Sequence, residues 1–317
     1  MGAHSLDEKP GPLACVTGAT GLIGGRLVPR LLRQGYRVRV LSRRQSLAMD
    51  RVEVCCGGLE DEAAVREFLK GARLLFHCAA ELADQSRMWD VNVAGTERLL
   101  RLAAAAGIEY LCHLSSAGVV GRTNQTWVTE AAPCQPQNLY ERTKLEAERL
   151  AARLGSGCRT VILRPTNVVD HHKPGALGLP ERAALADRLK VFVTGGECAH
   201  IVHAEDVAAA AVFFISAPLN RSEVFFVSCD HEPLNTVAGL WALYRACREG
   251  RPLERVKPVA HLPLIVPYWL RRLRRARGNR GDVRYSPKRL LATGFTFPLG
   301  LVGAIKQVIR DQGTVAP

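Results

Sequence analysis

The sequence predicts an α/β fold: a doubly wound parallel sheet, with a smaller lobe drawn from the C-terminal half. Three observations predict it. Short apolar runs alternate with helix-length segments through residue 165. The runs are nearly continuous in hydrophobic residues, as strands covered on both faces are. A glycine-spaced turn, Gly18-Ala19-Thr20-Gly21-Leu22-Ile23-Gly24, joins the first run to the first helix.

Taken in order, strands are expected at Ala14–Thr17, Arg37–Leu41, Glu53–Cys56, Leu74–Cys78, Tyr110–Ser115 and Thr160–Leu163. Helices are expected between them at Leu22–Gln34, Asp61–Leu69, Val91–Ala106 and Leu139–Leu154. Strand and helix in series imply a parallel sheet with helices on both faces. Ligands bind such sheets beyond the carboxyl ends of the strands. After Arg164-Pro165 the pattern changes. Residues 170–182 are rich in His, Pro and Gly and read as a loop. Glu205–Ser216 reads as a helix and Val224–Val227 as a strand returning to the sheet, while 230–311 holds shorter segments split by prolines. The expected organisation is a loose tail over 1–12, a nucleotide-binding domain over 13–165 to which 201–228 returns, and a substrate-binding lobe from 166–200 and 229–317.

At 317 residues the chain is long enough to bury a full core. Its 47% hydrophobic and 23% charged content is ordinary for a folded protein. No apolar run approaches the roughly 20 residues of a membrane span. Met1 to Pro12 is polar and lacks the apolar centre of a signal peptide, so a cytoplasmic location is expected. The 10 cysteines include no C-x-x-C pair and read as free thiols. His171 and His172 sit in a loop with Asp170 as the one nearby acid, so no metal site is expected. The net charge of +13 is concentrated late, at Arg271, Arg272, Arg274, Arg275, Arg277 and Arg280. Just before it lies the apolar stretch Leu262 to Leu270. A core helix with a solvated basic end is one reading of 262–280. Peripheral membrane contact is the other. Nucleic acid is set aside as a partner.

Glycines at the turn let backbone approach a ligand, and the helix start behind them presents free N–H groups suited to a pyrophosphate. Tyr140 and Lys144 are four apart on an expected helix and share a face. A phenol titrates near 10. A nearby ammonium favours the phenolate and is expected to pull that pKa down, making Tyr140 a workable general acid/base. A serine from the end of a neighbouring strand, Ser115 or Ser116, would hold the substrate oxygen beside it.

With these motifs the chain resembles the extended short-chain dehydrogenase/reductase family, nearly end to end. Thr17 to Gly24 meets its T-G-x-x-G-x-x-G pattern. His77-Cys78-Ala79-Ala80 meets H-x-A-A, and Asn92-Val93-Ala94-Gly95-Thr96 meets N-x-x-G-T. Leu114-Ser115-Ser116-Ala117-Gly118-Val119-Val120-Gly121 stands as the catalytic strand motif, and counting back from Gly121 selects Ser116. Tyr140 to Lys144, Arg164-Pro165, Val202 to Ala208 and Gly294 to Pro298 complete the match. The resemblance implies a Rossmann domain, a nicotinamide cofactor, and catalysis by Ser116, Tyr140 and Lys144. It implies cofactor contacts from Gly18, Thr20, Gly21, Leu22, Ile23, Gly24, Arg43, Leu59, Ala79, Ala80, Asn92, Tyr140, Lys144 and Pro165. Lys144 would both tune Tyr140 and bind the nicotinamide ribose. A homodimer packed through helices, common among such proteins, stays open.

Cofactor choice is read at the end of the second strand, where NAD enzymes place an acid against the ribose 2′-hydroxyl. Here Leu41-Ser42-Arg43-Arg44 carries none, and arginine suits a 2′-phosphate, so NADP is expected over NAD. Gly57-Gly58-Leu59 replaces the family's Gly-Asp-Leu, leaving Glu60 or Asp61 as the carboxylate near adenine.

Three departures bear on the reaction. No Asp-Glu pair follows Ser116, as sugar-nucleotide dehydratases would require. No arginine stands in Gly196 to His203, where related sugar-nucleotide enzymes clamp a diphosphate. The tyrosine of V-Y-G is Val120. The second half is strongly apolar, with Val191-Phe192-Val193, Phe213-Phe214-Ile215 and Leu262 to Leu270; most of this reads as core or sheet, and a part as lining for an apolar pocket. The pattern resembles the 3-beta-hydroxysteroid dehydrogenase and dihydroflavonol-reductase-like branch. The expectation is an NADP-dependent oxidoreductase interconverting a secondary alcohol and a ketone on a hydrophobic, sterol- or lipid-like substrate. The alternative is an NAD-dependent nucleotide-sugar epimerase with the same three residues. A non-catalytic cofactor sensor is disfavoured by the retention of all three.

Overall fold

The computed structural model describes residues 11–44, 47–154, 157–182, 184–218, 222–273, 279 and 281–314. In chain order, β1 (Leu13–Thr17), α1 (Gly24–Arg33), β2 (Arg37–Ser42), β3 (Val52–Cys56), α2 (Glu62–Leu69) and β4 (Leu74–His77) open the chain. Then come α3 (Gln85–Trp89), a π turn (Asp90–Ala94), α4 (Gly95–Ala105), β5 (Tyr110–Leu114), a 3₁₀ turn (Ala117–Val120) and β6 (Trp127–Val128). The middle holds α5 (Leu139–Ala152), β7 (Arg159–Pro165), β8 (Asn167–Val169), a 3₁₀ turn (Gly175–Leu177), α6 (Gly178–Arg182), α7 (Leu185–Thr194) and β9 (Ile201–His203). The remainder is α8 (Ala204–Phe213), β10 (Ser222–Val227), α9 (Val237–Arg248), α10 (Ile265–Leu273), β11 (Arg284–Tyr285), α11 (Lys288–Leu291) and α12 (Gly300–Thr314).

Among the described residues, seven strands form one parallel sheet in the order β10-β7-β5-β4-β1-β2-β3. The chain winds one way from β1 to β3 and the other way from β4 to β10. The reversal opens a crevice at the carboxyl ends of β1 and β4. Alternation along β1 sends Ala14 and Val16 into one core and Leu13 and Cys15 into the other. The first core holds Leu27 and Leu31 of α1 and Val207 and Ala211 of α8. The second holds Val65 and Phe68 of α2 and Leu99 and Ala103 of α4. Tyr110 Oη donates to Ala211 O at 2.8 Å and fastens α8 under the sheet. β10 pairs with β7, as expected for the returning strand.

Three details differ from the sequence expectation. Pro12 is not loose, since its carbonyl accepts from Arg37 N at 3.2 Å and extends the β1–β2 pairing. The rest of the expected tail, residues 1–10, lies outside the described residues, as do Arg274, Arg275, Arg277 and Arg280. The helical run before α4 starts earlier than Val91, because Asp84 caps α3 by accepting from Ser86 N at 3.0 Å. The 170–182 stretch is a loop only as far as Pro174, since the 3₁₀ turn and α6 fill Gly175 to Arg182; the short smaller sheets pair β8 with β9 and β6 with β11.

Candidate active site

A cavity of about 800 Å³ runs along the carboxyl edge of the sheet. Its floor begins at the glycine turn. Gly18 has φ +70°, and a Cβ there would fall 2.7 Å from Ala79 N; one on Gly24 would fall 2.2 Å from Gly18 O. The turn therefore lies directly against the continuation of β4, with no room for side chains. No side chain caps α1, and its first turn holds no acid. Its free amides and partial positive charge are available to an anion. Thr20, Gly21, Leu22, Ile23, Ala79, Ala80 and Pro165 all line the cavity beside them.

Ser116, Tyr140 and Lys144 stand together on the facing wall. Asn138 caps α5 by accepting from Glu141 N at 2.9 Å, and Glu141 reaches back to accept from Gln137 N at 2.6 Å. That fixed helix start turns Tyr140 and Lys144 toward the cavity. Lys144 is buried, and its Nζ donates to Leu114 O at the end of β5. Burial pushes its pKa down to about 8. Ser116 Oγ accepts from Gly118 N at 3.1 Å as the cap of the 3₁₀ turn. Ser115 is committed elsewhere: its hydroxyl donates to Glu148 Oε2 at 2.7 Å. Glu148 in turn holds Arg164 in a buried ion pair, with 2.5 and 3.0 Å contacts. Of the two cavity serines, Ser115 is thus tied to the Glu148–Arg164 pair and Ser116 to the backbone of its own turn.

The expected lowering of the Tyr140 pKa is corrected. Burial pushes the phenol up, the Ser116 hydroxyl opposes that shift, and Glu141 adds to it. The Lys144 ammonium is turned to a backbone carbonyl instead of the phenol. Desolvation of the hydroxyl outweighs the helix-face proximity that the i, i+4 spacing suggested.

Asn92 is not on the cavity wall. It is buried behind it, where its Oδ1 accepts from Glu81 N at 2.7 Å and its Nδ2 donates to Glu81 O and to Thr143 Oγ1 at 3.0 and 3.1 Å. Thr143 Oγ1 donates to Tyr140 O at 2.9 Å. On its other side, Asn92 O accepts from Thr96 Oγ1 at 2.7 Å. That spends the single Thr96 proton. The His77 Nε2 contact with Thr96 at 2.8 Å must then be a donation by histidine. His77 Nδ1 is left bare to accept from Thr17 at 2.7 Å, and Thr17 Oγ1 accepts from Ala79 N at 3.3 Å. His77 is neutral, its pKa pushed down to about 3 by burial, with Lys144 adding to the shift. The H-x-A-A and N-x-x-G-T residues thus tie β1, β4, α4 and α5 into one polar chain.

At the opposite end, Arg43 and Arg44 line the cavity beyond β2 and are exposed. Of the two acids left open by the sequence, Glu60 lines the cavity with Leu59. Its carboxylate folds over Gly58, so close that a Cβ there would sit 2.2 Å from Oε1. Asp61 caps α2, accepting from Ala64 N at 3.0 Å. The glycine turn, the uncapped helix start, the arginine pair and the Tyr140–Lys144 face together fit a dinucleotide.

The C-terminal half adds Thr166 to Val169, Lys173, Gly175, Ala176, Ala199 and Ile201 to the cavity. The residues just past Pro165 were findable by the carboxyl-end rule, whereas Ala199, Ile201 and, from the first half, Arg87 carried no local signal. None of the three apolar runs lines it, so the part of them expected at the pocket is not there. Phe214 is core, Val191 and Phe192 border a separate cleft, and Ile265, Trp269 and Leu270 are exposed. Their hydrophobicity is spent on packing and on an outer surface.

A family model for the NAD dependent epimerase/dehydratase family matches residues 14–227. The chain is 33% identical over 232 residues to sterol demethylase protein B of Methylococcus capsulatus, covering 68% of this chain and 69% of that one. It is 29% identical over 281 residues to a 3 beta-hydroxysteroid dehydrogenase/Delta 5-->4-isomerase of Mycobacterium tuberculosis, covering 81% and 75%. A short-chain dehydrogenase/reductase superfamily protein from Agrobacterium tumefaciens, solved with bound NAD, superposes with a TM-score of 0.71 at 26% identity, covering 95% and 96%.

Proposed function

The chain belongs to the NAD dependent epimerase/dehydratase family and is an NAD(P)-dependent oxidoreductase of the extended short-chain type; from that premise we propose that it interconverts a secondary alcohol and a ketone on an apolar, sterol- or lipid-like substrate, with NADP as the preferred cofactor. The observation that carries the reading is the convergence of Ser116, Tyr140 and Lys144 on one wall of a cavity that also holds the glycine turn and Arg43. The nicotinamide, when bound, supplies or accepts the hydride. Tyr140 is protonated at neutral pH, as any phenol near its ordinary pKa is, and gives that proton to the carbonyl oxygen in the reductive direction. Ser116 holds the same oxygen by its hydroxyl. Lys144 brings a buried positive charge one helical turn away, which favours the phenolate left behind. Arg43 and Arg44 receive the 2′-phosphate, and Glu60 takes the place of the missing adenine carboxylate. Asn92 positions α5 from behind the wall.

An apolar substrate is supported by the residues that 166–200, taken here as part of the substrate-binding lobe, and the neighbouring β9 add to the cavity, to which 229–317 contributes none of the described lining residues. Val168, Val169, Ala176, Ala199 and Ile201 dominate them. Among the described lining residues beyond Pro165, Lys173 is the one cation, with no arginine to clamp a diphosphate. The sterol and steroid names of two relatives agree with this choice. The test is absorbance at the nicotinamide band while the protein and NADPH meet panels of apolar ketones and of UDP- and GDP-sugars. Stoichiometric NADPH loss with ketones is expected. In a parallel assay with catalytic NAD+, conversion of a sugar nucleotide read by chromatography, with no net change at the nicotinamide band, would move the site to epimerase chemistry.

A further inference from the structure

We propose that α7 and α10 together form a docking surface for an anionic lipid bilayer. On α7, Leu185, Leu189 and Phe192 follow the i, i+4, i+7 rule, yet all three point to solvent. Leu185 is 84% and Leu189 61% exposed. The opposite side of the same helix is satisfied, with Val191 buried against Leu179, Ala238 and Trp241. On α10, Ile265, Trp269, Leu270 and Leu273 are exposed as well. The helices adjoin, since Leu262 N, just ahead of α10, donates to Phe192 O at 2.8 Å. Among the described residues ten large apolar side chains are exposed, and these are seven of them. Scattered apolar exposure is ordinary, but seven exposed apolar side chains gathered on two adjoining helices mark an interaction surface.

Charge selects the partner. Arg188 and Lys190 are exposed on α7. Arg272 of α10 lies 5.9 Å over the Trp269 ring and donates to Tyr268 Oη at 3.1 Å. Arg188 also borders a cleft against α9, where Arg245 and Arg248 join it. Asp187 pairs with Arg182 at 3.0 Å and Glu249 with Arg245 at 3.1 Å, and Glu181 accepts from the uncharged Gln312 at 3.0 Å; these three acids are outnumbered by Arg182, Arg188, Lys190, Arg245, Arg248 and Arg272. The local field is therefore positive around an apolar centre with Trp and Tyr at its edge, the composition of an interfacial helix. With 10 and 9 residues, α7 and α10 are too short to span a bilayer but suited to lie in its surface. No helix among the described residues is long and apolar enough to cross a membrane. The patch is also close to the cleft in sequence: α6 links α7 to the 3₁₀ turn whose Gly175 and Ala176 line the cavity.

The test floats the full chain with vesicles of phosphatidylcholine alone and of phosphatidylcholine with phosphatidylglycerol. Binding to the anionic vesicles is expected to be at least about tenfold tighter, and to weaken in high salt. A triple variant, Leu185→Ser with Leu189→Ser and Trp269→Ser, is expected to stay unfloated while keeping its circular dichroism. Should it fail to fold, the Arg188→Glu and Arg272→Glu pair decides, with loss of the anionic preference expected. No flotation of the wild type overturns the proposal, as does flotation of the triple variant at wild-type level. So does a wild-type dimer that the triple variant breaks, which would assign the face to a second copy of the chain.

Discussion

Lys144→Met isolates the cost of placing an ammonium under the catalytic helix. Lys144 is 4% exposed, and burial brings its pKa from 10.5 to about 8. At about 1.4 kcal/mol per unit, holding that charge in the folded chain costs about 3 kcal/mol at neutral pH. The folded pKa lies below the unfolded one. Below about 8 both states carry the proton and the cost is full. Between about 8 and 10.5 the unfolded chain keeps a proton that the folded chain has released, so stability rises with pH. Methionine at 144 does not titrate. The stability of the variant relative to wild type is therefore expected to fall by about 3 kcal/mol across that window. At neutral pH the relief of desolvation is offset by loss of the bond to Leu114 O, about 1.5–3 kcal/mol, so the variant is expected to match or slightly exceed wild type. Cys78, held at about 12 by burial, still ionises in the unfolded chain within the window, but it does so in both proteins and cancels from the difference, while His77 at about 3 lies below it. Urea unfolding followed by circular dichroism at a series of pH values gives the difference directly. A gap that does not change with pH would refute a desolvated lysine, whatever happens to activity, which is expected to collapse.

Tyr140→Phe is expected to lower kcat by about a thousandfold or more while leaving NADPH affinity within a few-fold, measured by single-turnover kinetics and fluorescence titration; retained turnover would remove its acid/base role. Arg43→Ala is expected to weaken NADPH about tenfold or more and NADH hardly at all. Equal losses by calorimetry would reject the 2′-phosphate assignment. Arg164→Met leaves Glu148 buried without its partner and is expected to cost about 3–5 kcal/mol in chemical unfolding. A loss below about 1 kcal/mol would mean that the pair is not desolvated.

Much of the sheet was legible because the signal is local. Apolar runs separated by helical stretches set the strands of the main sheet from β1 to β7 and the helices α1, α2 and α5 within a residue or two, while the early start of the helical run at α3 and the short β6 were missed, and the glycine spacing marked the turn at the end of β1. The spacing of Tyr140 and Lys144 settled that they share a helix face. The limits appear where partners come from afar in the chain. Asp61 and Glu60 are adjacent in sequence, but one caps α2 and the other enters the cavity. Asn92 carries a family motif, yet its amide binds Glu81 and Thr143, and its role is to fasten α5. Hydrophobicity alone did not separate the buried Phe214 from the exposed Trp269.

By itself, then, the order of residues determined the alternating sheet, the anion-ready turn and the pairing of phenol with amine on one helix, because each depends on neighbours within a few positions. Only the folded arrangement decided how those groups behave. It half-buried Tyr140 in the cavity wall so that its proton is held more tightly, turned the Lys144 ammonium onto Leu114, and left the apolar sides of α7 and α10 outside. The reason is that desolvation and access to solvent are set by what packs across an element, and that contact is made by segments distant in the chain.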